Sequence, residues 1–569
     1  MTTLVERARS LAGTPLGRSL LSYLNLPPVG AIADGAPGDL IGPKVSLPTG
    51  TDALYELPSR LRSPLAERRR TLPGARFQTL EDLDDLPDVD VDDLDAMAAR
   101  LSDLRRYGHR IRPVWGGPEG RRGLLDLIDS AETSINIEMY IIGGEIGREL
   151  MRRLVKKADA GVEVRLLFTA SGFIISGGPS GTGVVSQLSN LRSYLVADMY
   201  YRKRMLAELS ATRVKVVDSA PIGRHWRRSS FKAKGIRNEA DYVRWARAEA
   251  IPEPWLEEQL AVDEHCTFGF SNVDHRKMIL VDGKRAFIGS QNIADAYFYD
   301  NELSEDPKVN RERWQWHDSS SILEGGIVGE LNRIFASRWV VSGGDRFDWE
   351  APAYRPEQER VGDAIVATQA TVPGLLSLPN KQNLPRLVAS MFGADLRPIA
   401  VGDNPIRTRM MQLPDLAQHE LFVEHCYPSD AELLSTWAKR AGRVPNFTFV
   451  VPKHYDTVLL GLECDRFFPE LLAQGVKLAG YDRAIMHSKI AVVDRWYTAT
   501  GSYNLTLRSA RADLELEFYV QSEEFGGAVR DAIAGDIALS TPIAPTALDR
   551  FRSRRSLPII DALVRYCFL

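Results

Sequence analysis

Two short stretches of the 569-residue chain collect the residue types that handle phosphate. One is HRKMILVDGKRAFIGSQN, from His275 to Asn292, and the other is HSKIAVVDRWYTATGSYN, from His487 to Asn504. Each reads His-x-Lys, four residues, Asp, six residues, then Gly-Ser-x-Asn, and every matched pair lies 212 residues apart. Six identities recurring in register exclude coincidence. Lys277 and Lys489 supply charge for an anionic phosphoryl group, Asn292 and Asn504 supply donors, and Ser290 and Ser502 are weaker candidates for the same work. His275 and His487 supply a nucleophile and a proton carrier, the pair that double displacement at phosphorus requires. Lysine is not a metal ligand and each His-x-Lys offers one imidazole, so the motifs do not read as a metal site. No cofactor is expected.

The elements around the motifs must hold them together. MILVD and IAVVD are short apolar runs suited to buried strands, and alternation puts His275 and Lys277 on one face, with His487 and Lys489 likewise. Arg276 and Ser488 face the other way. Asp282-Gly283 predicts a hairpin into RAFIGS, whereas Asp494-Arg495 makes the second hairpin less certain. Asp282 and Asp494 end their strands and are read as fixing local structure. Upstream, SINIEMYII alternates like a strand, GRELMRRLVKKADAG is an amphipathic helix, and VEVRLLF is a strand; HELFVEHCY, DAELLSTWAKRAG and FTFVVP repeat that order. Strands alternating with helices indicate an α/β class.

The expected organisation is an N-terminal extension over 1–110, a first lobe over 111–350 with an insert at about 218–262, a linker over 351–414, a second lobe over 415–540, and a tail over 541–569 with a short helix. The extension is Pro- and Gly-rich, then acidic, and reads as a solvated, partly irregular segment with a helix near Asp92 to Tyr107. Within the linker, LPRLVASMF reads as helix. Hydrophobic residues at 44% and charged residues at 26% describe an ordinary globular chain, and a net charge of −4 gives no broad attraction to nucleic acid or anionic lipid. The four scattered cysteines, Cys266, Cys426, Cys464 and Cys567, fit a reducing compartment better than a disulfide framework. The start faintly resembles a signal peptide, but Pro27 and Pro28 interrupt its apolar stretch. A cytoplasmic protein, with room for peripheral membrane contact, is the expectation.

The paired motifs and their flanks resemble the phospholipase D superfamily, and in particular bacterial cardiolipin synthases and related phospholipases. The similarity extends through SINIEMYIIGGEIGRELMRRLVKKADAGVEVRLLF, GSQNIADAYF, WHDSSSILEGGIVGEL and RSARADLELEFYV, over about 114–345 and 415–540. The resemblance implies two similar α/β lobes, each a mixed β-sheet flanked by helices, about a pseudo-twofold axis, so that one chain carries a complete active site. It implies that one histidine attacks phosphorus to form a phosphohistidine while the other protonates the leaving alcohol. His275 would be the nucleophile and His487 the acid and base, although the near-equivalent motifs permit the reverse. Asp318 in WHDS and Glu515 in ADLELEF are the candidate carboxylates for orienting the imidazoles. Asp513 and Tyr503 depart from the family pattern.

A phospholipid is the expected substrate, cleaved or exchanged at its phosphodiester. The insert RHWRRSSFKAKGIR interleaves basic residues with Trp226 and Phe231, a composition suited to a headgroup or equally to a solvated loop. YVRWARAEAIPEPW adds Trp245 and Trp255, read as packing residues. A nuclease of the same superfamily is the alternative, disfavoured by the acidic balance; a catalytically dead scaffold is disfavoured by two intact motifs.

Overall fold

The computed structural model describes residues 106–168, 209, 211–218, 235–236, 239–248, 274–348, 351–356, 360–371, 404–456, 458–511 and 513–544. In the first half these form β1 (Arg106–Trp115), α1 (Gly117–Asp129), β2 (Ser134–Met139), α2 (Gly144–Asp159), β3 (Glu163–Phe168), β4 (Lys215–Asp218), α3 (Glu239–Ala248), β5 (Met278–Val281), β6 (Arg285–Gly289), α4 (Pro307–Glu312), β7 (Trp316–His317), β8 (Ser319–Glu324) and α5 (Ile327–Val341). The second half follows with β9 (Ala364–Ala370), α6 (Pro405–Leu416), β10 (Glu420–His425), α7 (Ala431–Arg440), β11 (Asn446–Pro452), α8 (Val458–Asp465), α9 (Phe468–Ala473), β12 (Lys477–Tyr481), β13 (Ile485–Met486), β14 (Lys489–Val493), β15 (Tyr497–Gly501), α10 (Leu507–Arg511), β16 (Leu516–Gln521), α11 (Glu523–Leu539) and β17 (Thr541–Pro542).

The large sheet reads alike from its middle toward either edge. One side runs β1, β8, β6, β5, β2, β3, β4, and the other runs β9, β16, β15, β14, β10, β11, β12, with β17 beyond. In both halves the outer pairs are parallel and the inner pairs antiparallel, and antiparallel β1 and β9 join the halves into one mixed sheet. This is the two-lobed α/β architecture with its pseudo-twofold relation.

Strand alternation assigns the core faces. Ile279 and Val281 pack with α1 and α2 residues such as Leu124 and Leu150, whereas Met278 and Leu280 turn to the other side of the sheet. In β14, Ala491 and Val493 face a second-half core built around Trp437, while Ile490 and Val492 join Met278, Leu280, Phe335 and Val529 in a core shared by both halves. Both faces are therefore covered, which explains why these strands are continuously apolar.

Several boundaries differ from the sequence reading. Arg106 and Tyr107 begin β1 rather than ending a helix, because Arg106 and His109 pair with β9 and Arg110–Trp115 pair with β8. The span read as a linker supplies β9 at the centre of the sheet and the start of α6. The other helix expected in that span, the helix expected in the tail, most of the basic insert and residues 1–105 lie outside the described residues. Among the described residues, no helix is long and apolar enough to cross a membrane.

Candidate active site

Each motif folds as the end of a loop, a strand, a tight turn and a returning strand. Asp282 and Gly283 both have positive φ (54° and 64°), as do Asp494 and Arg495 (45° and 64°), and in each turn an N–H two residues past the Asp or, equivalently, three past the strand end bonds back to it (Lys284 to Val281 at 3.0 Å, Trp496 to Val493 at 3.1 Å). The second hairpin therefore forms without glycine. Asp282 accepts from the backbone N–H of Glu132, Thr133 and Ser134 and from the Thr133 hydroxyl, at 2.8 to 3.1 Å. Asp494 accepts from the N–H groups of Gln418, His419 and Glu420 at 2.6 to 2.8 Å. The two aspartates thus pin the start of β2 and β10 against the hairpins.

The two halves exchange partners at the histidines. The His275 N–H donates to the Leu514 carbonyl at 2.9 Å, and the His487 N–H donates to the His317 carbonyl at 2.7 Å. Nδ1 of His275 lies 3.0 and 3.1 Å from the Glu515 carboxylate, and Nδ1 of His487 lies 2.7 Å from Oδ2 of Asp318. Each imidazole is therefore oriented by a carboxylate from the opposite half. With Nδ1 occupied in this way, Nε2 is the nitrogen left for chemistry.

The Ser290 hydroxyl donates to Asp318, and the Ser502 hydroxyl donates to Glu515 at 2.5 Å. Both residues are essentially fully buried, with their single proton spent on a carboxylate. Ser509, which the sequence reading missed, donates to the other Glu515 oxygen at 2.5 Å.

Lys277 and Lys489 are buried and repeat one geometry: Nζ donates to the carbonyl of the histidine two residues earlier, at 2.6 and 2.9 Å. Asn292 donates to the Tyr297 hydroxyl at 3.0 Å, whereas the Asn504 side-chain oxygen accepts from the Cys426 thiol at 3.4 Å. Rings that the sequence reading did not select enclose the imidazoles. Tyr140 meets His275 edge-on at 5.0 Å, and Trp316, Tyr297 and Tyr427 surround His487 at 4.9, 5.6 and 5.7 Å. Tyr140 lies one residue past β2 and Tyr427 two residues past β10, positions that could have flagged them. Of the two family departures, Asp513 pairs with Arg508 at 2.9 Å, and Tyr503 is buried in the second-half core.

Burial and the two ammonium groups set the electrostatics. Burial, reinforced by Lys277, holds the His275 imidazolium well below its ordinary value, and burial with Lys489 brings His487 down to about 4. Each histidine also feels the other half's lysine, Lys489 acting on His275 and Lys277 on His487. Burial lowers Lys277 to about 7 and raises Glu515 to about 7. For Asp318 burial acts upward, but His487, Lys489 and Ser290 outweigh it and keep the carboxylate ionised below its ordinary range. The site thus presents neutral imidazoles beside two buried lysines, an environment that favours an anion.

The sequence matches the family described as "Cardiolipin synthase, PLD-like domain" over residues 124–339 and 411–536, more than half of the chain. It is 26% identical over 332 residues to cardiolipin synthase A of Buchnera aphidicola subsp. Acyrthosiphon pisum (strain APS), covering 55% of this chain and 58% of that protein. It is 23% identical over 417 residues to the probable cardiolipin synthase YwiE of Bacillus subtilis (strain 168), covering 73% of this chain and 63% of that protein. The matches therefore span less than two thirds of these relatives. Among solved structures, phosphatidylserine synthase of Haemophilus influenzae Rd KW20 aligns over 83% of this chain and 99% of its own, with 14% identity and a TM-score of 0.48.

Proposed function

The chain belongs to the phospholipase D-like domain family of cardiolipin synthases, and on that premise we propose that it cleaves or exchanges a phospholipid phosphodiester through a covalent phosphohistidine. The observation that carries the proposal is the crossed pairing of two buried imidazoles with two carboxylates, each pair drawn from both halves and set among two lysines.

Nε2 of His275 attacks phosphorus, forming an N–P bond as the bond to the leaving alcohol breaks. His487, protonated at Nε2 once the anionic diester lies beside it, gives that alcohol its proton. Water or an acceptor alcohol then loses a proton to His487 and attacks, and the N–P bond breaks. Lys277, Lys489 and the two asparagines hold the non-bridging oxygens, where charge gathers in the transition state. The division of labour follows from the carboxylates. Ionised Asp318 stabilises a positive His487, whereas Glu515, with its raised affinity for a proton, gives His275 weaker support as a cation. His275 is thus the better neutral nucleophile and His487 the better acid. One chain supplies both halves of the site, and contact with the lipid is peripheral.

The test is mass spectrometry of products from vesicles containing phosphatidylglycerol, with DNA and RNA in the same incubation and EDTA present. Phosphatidic acid is expected, with a new phosphatidyl ester when an alcohol is added. Cleavage of nucleic acid with lipid left intact would reassign the substrate.

A further inference from the structure

A second cluster lies behind the catalytic histidine His487, at a place where the two halves differ. Glu138 and Glu424 are each the fifth residue of their strand, β2 and β10, and each is fully buried. Around Glu138 stand fixed cations. Arg276 reaches Glu138 at 3.4 Å, and Arg338 bonds to the neighbouring Asp274 at 3.1 Å. The second half has Ser488 in the place of Arg276, and Glu424 meets His317 and Asp536 instead.

His317 Nε2 lies 3.0 Å from Oδ2 of Asp536 and 3.2 Å from Oε1 of Glu424. One ring nitrogen carries at most one proton, and its hydrogen bond goes to Asp536. Both oxygens of Glu424 are left buried without a hydrogen-bond donor among the described residues. A buried carboxylate in that condition is expensive unless a cation, an imidazolium at His317 or a bound metal ion, joins it. The three ligand atoms lie within 4.8 Å of one another. Ligands at about 2.0–2.1 Å from a tetrahedral ion stand roughly 3.3 Å apart, close to the two spacings already present. Trp115 stacks on the imidazole at 5.6 Å and Tyr481 flanks it at 4.8 Å, so the ring is held in position.

We propose that His317, Glu424 and Asp536 form a binding site for one divalent first-row transition-metal ion of the zinc or cobalt class. An imidazole with two carboxylates is a ligand set that such ions accept. The role is positional and separate from phosphoryl transfer. The His317 carbonyl carries the His487 N–H, and the next residue, Asp318, orients the His487 ring, so an ion on His317 locks β7 beneath the catalytic imidazole and ties it to α11 and β10.

The full chain, stripped with EDTA and dialysed free of it, is titrated with Co²⁺ while the visible absorption bands are followed, and Zn²⁺ is then added to displace the cobalt. One equivalent is expected to give a low-symmetry spectrum that zinc abolishes. Glu424→Gln and Asp536→Asn, both isosteric, are each expected to weaken binding at least tenfold. A wild-type chain that takes up no cobalt, or either variant binding cobalt as the wild type does, overturns the site. A thermal melt of the stripped wild type gives a readout independent of the variants: Zn²⁺ is expected to raise the midpoint, and an unmoved midpoint overturns the proposal.

Discussion

The half around β5 and the half around β14 share backbone order, hairpin geometry and the placement of His, Lys and Asn, yet they carry different charge. His275 leans on Glu515, whose burial raises its proton affinity to about 7, while His487 leans on Asp318, which stays ionised. Behind the first histidine stand two arginines facing Glu138 and Asp274; behind the second stands a titratable His317 facing Glu424 and Asp536. A duplicated scaffold can set two imidazoles in different electrostatic surroundings by changing the groups that face them while leaving the imidazoles alone. Because partners cross between halves, each histidine depends on the other half for its carboxylate.

The strongest way to break the comparison is to remove one imidazole at a time. His275→Ala and His487→Ala are each expected to lower turnover by about 10⁴-fold or more. They should differ in what accumulates. With a phosphodiester whose leaving group needs no acid, His487→Ala should gain the mass of a phosphatidyl adduct in intact-protein mass spectrometry, and His275→Ala should not. The adduct appearing on His275→Ala instead would reverse the roles.

A smaller effect sharpens the contrast in proton affinity. Glu515 rises from its ordinary value near 4.5 to about 7, so the folded chain keeps a proton that the unfolded chain releases between those values. Its contribution to stability therefore falls as pH rises through that window. His487 drops from 6.5 to about 4, so its contribution is lost as pH falls from 6.5 toward 4. In urea unfolding across pH 4.5 to 6.5, the wild-type stability minus that of Glu515→Gln should fall with pH, and the difference from His487→Gln should rise. Slopes of the same sign would refute the electrostatic asymmetry.

The smallest effect concerns the turns. A Cβ at Gly283 would meet the Tyr354 carbonyl oxygen at 2.4 Å, besides adopting φ of +64°. Gly283→Ala should destabilise by about 2 kcal/mol or more. Arg495 has the same φ in the second turn and pairs with Asp531 at 2.8 Å, so Arg495→Gly trades strain for an exposed ion pair and should change stability by less than about 1 kcal/mol. Equal responses in chemical denaturation would mean that the two turns are not constrained differently.

Much of the site was readable because it is encoded locally. His-x-Lys and Gly-Ser-x-Asn lie on consecutive strands of one hairpin, and a spacing within a hairpin fixes which residues become neighbours. The hydrogen-bond partners of Ser290 and Ser502 were not readable, since a hydroxyl near a phosphate site and one bonded to a buried carboxylate look the same in a string of letters. β9 escaped notice for a related reason. AIVATQA is a weak pattern that becomes a strand only because β1 and β16 flank it.

From its sequence alone, this protein's duplicated motif, its α/β alternation and its pool of imidazoles, ammonium groups and carboxylates follow, because periodicity and short-range spacing are properties of neighbouring residues. Tertiary structure decided which carboxylate serves which histidine, that a serine hydroxyl donates to each one, and that Glu424 lacks the arginine its counterpart enjoys. Those outcomes depend on contacts between residues as far apart as His275 and Glu515, brought together only when the two halves close on one sheet.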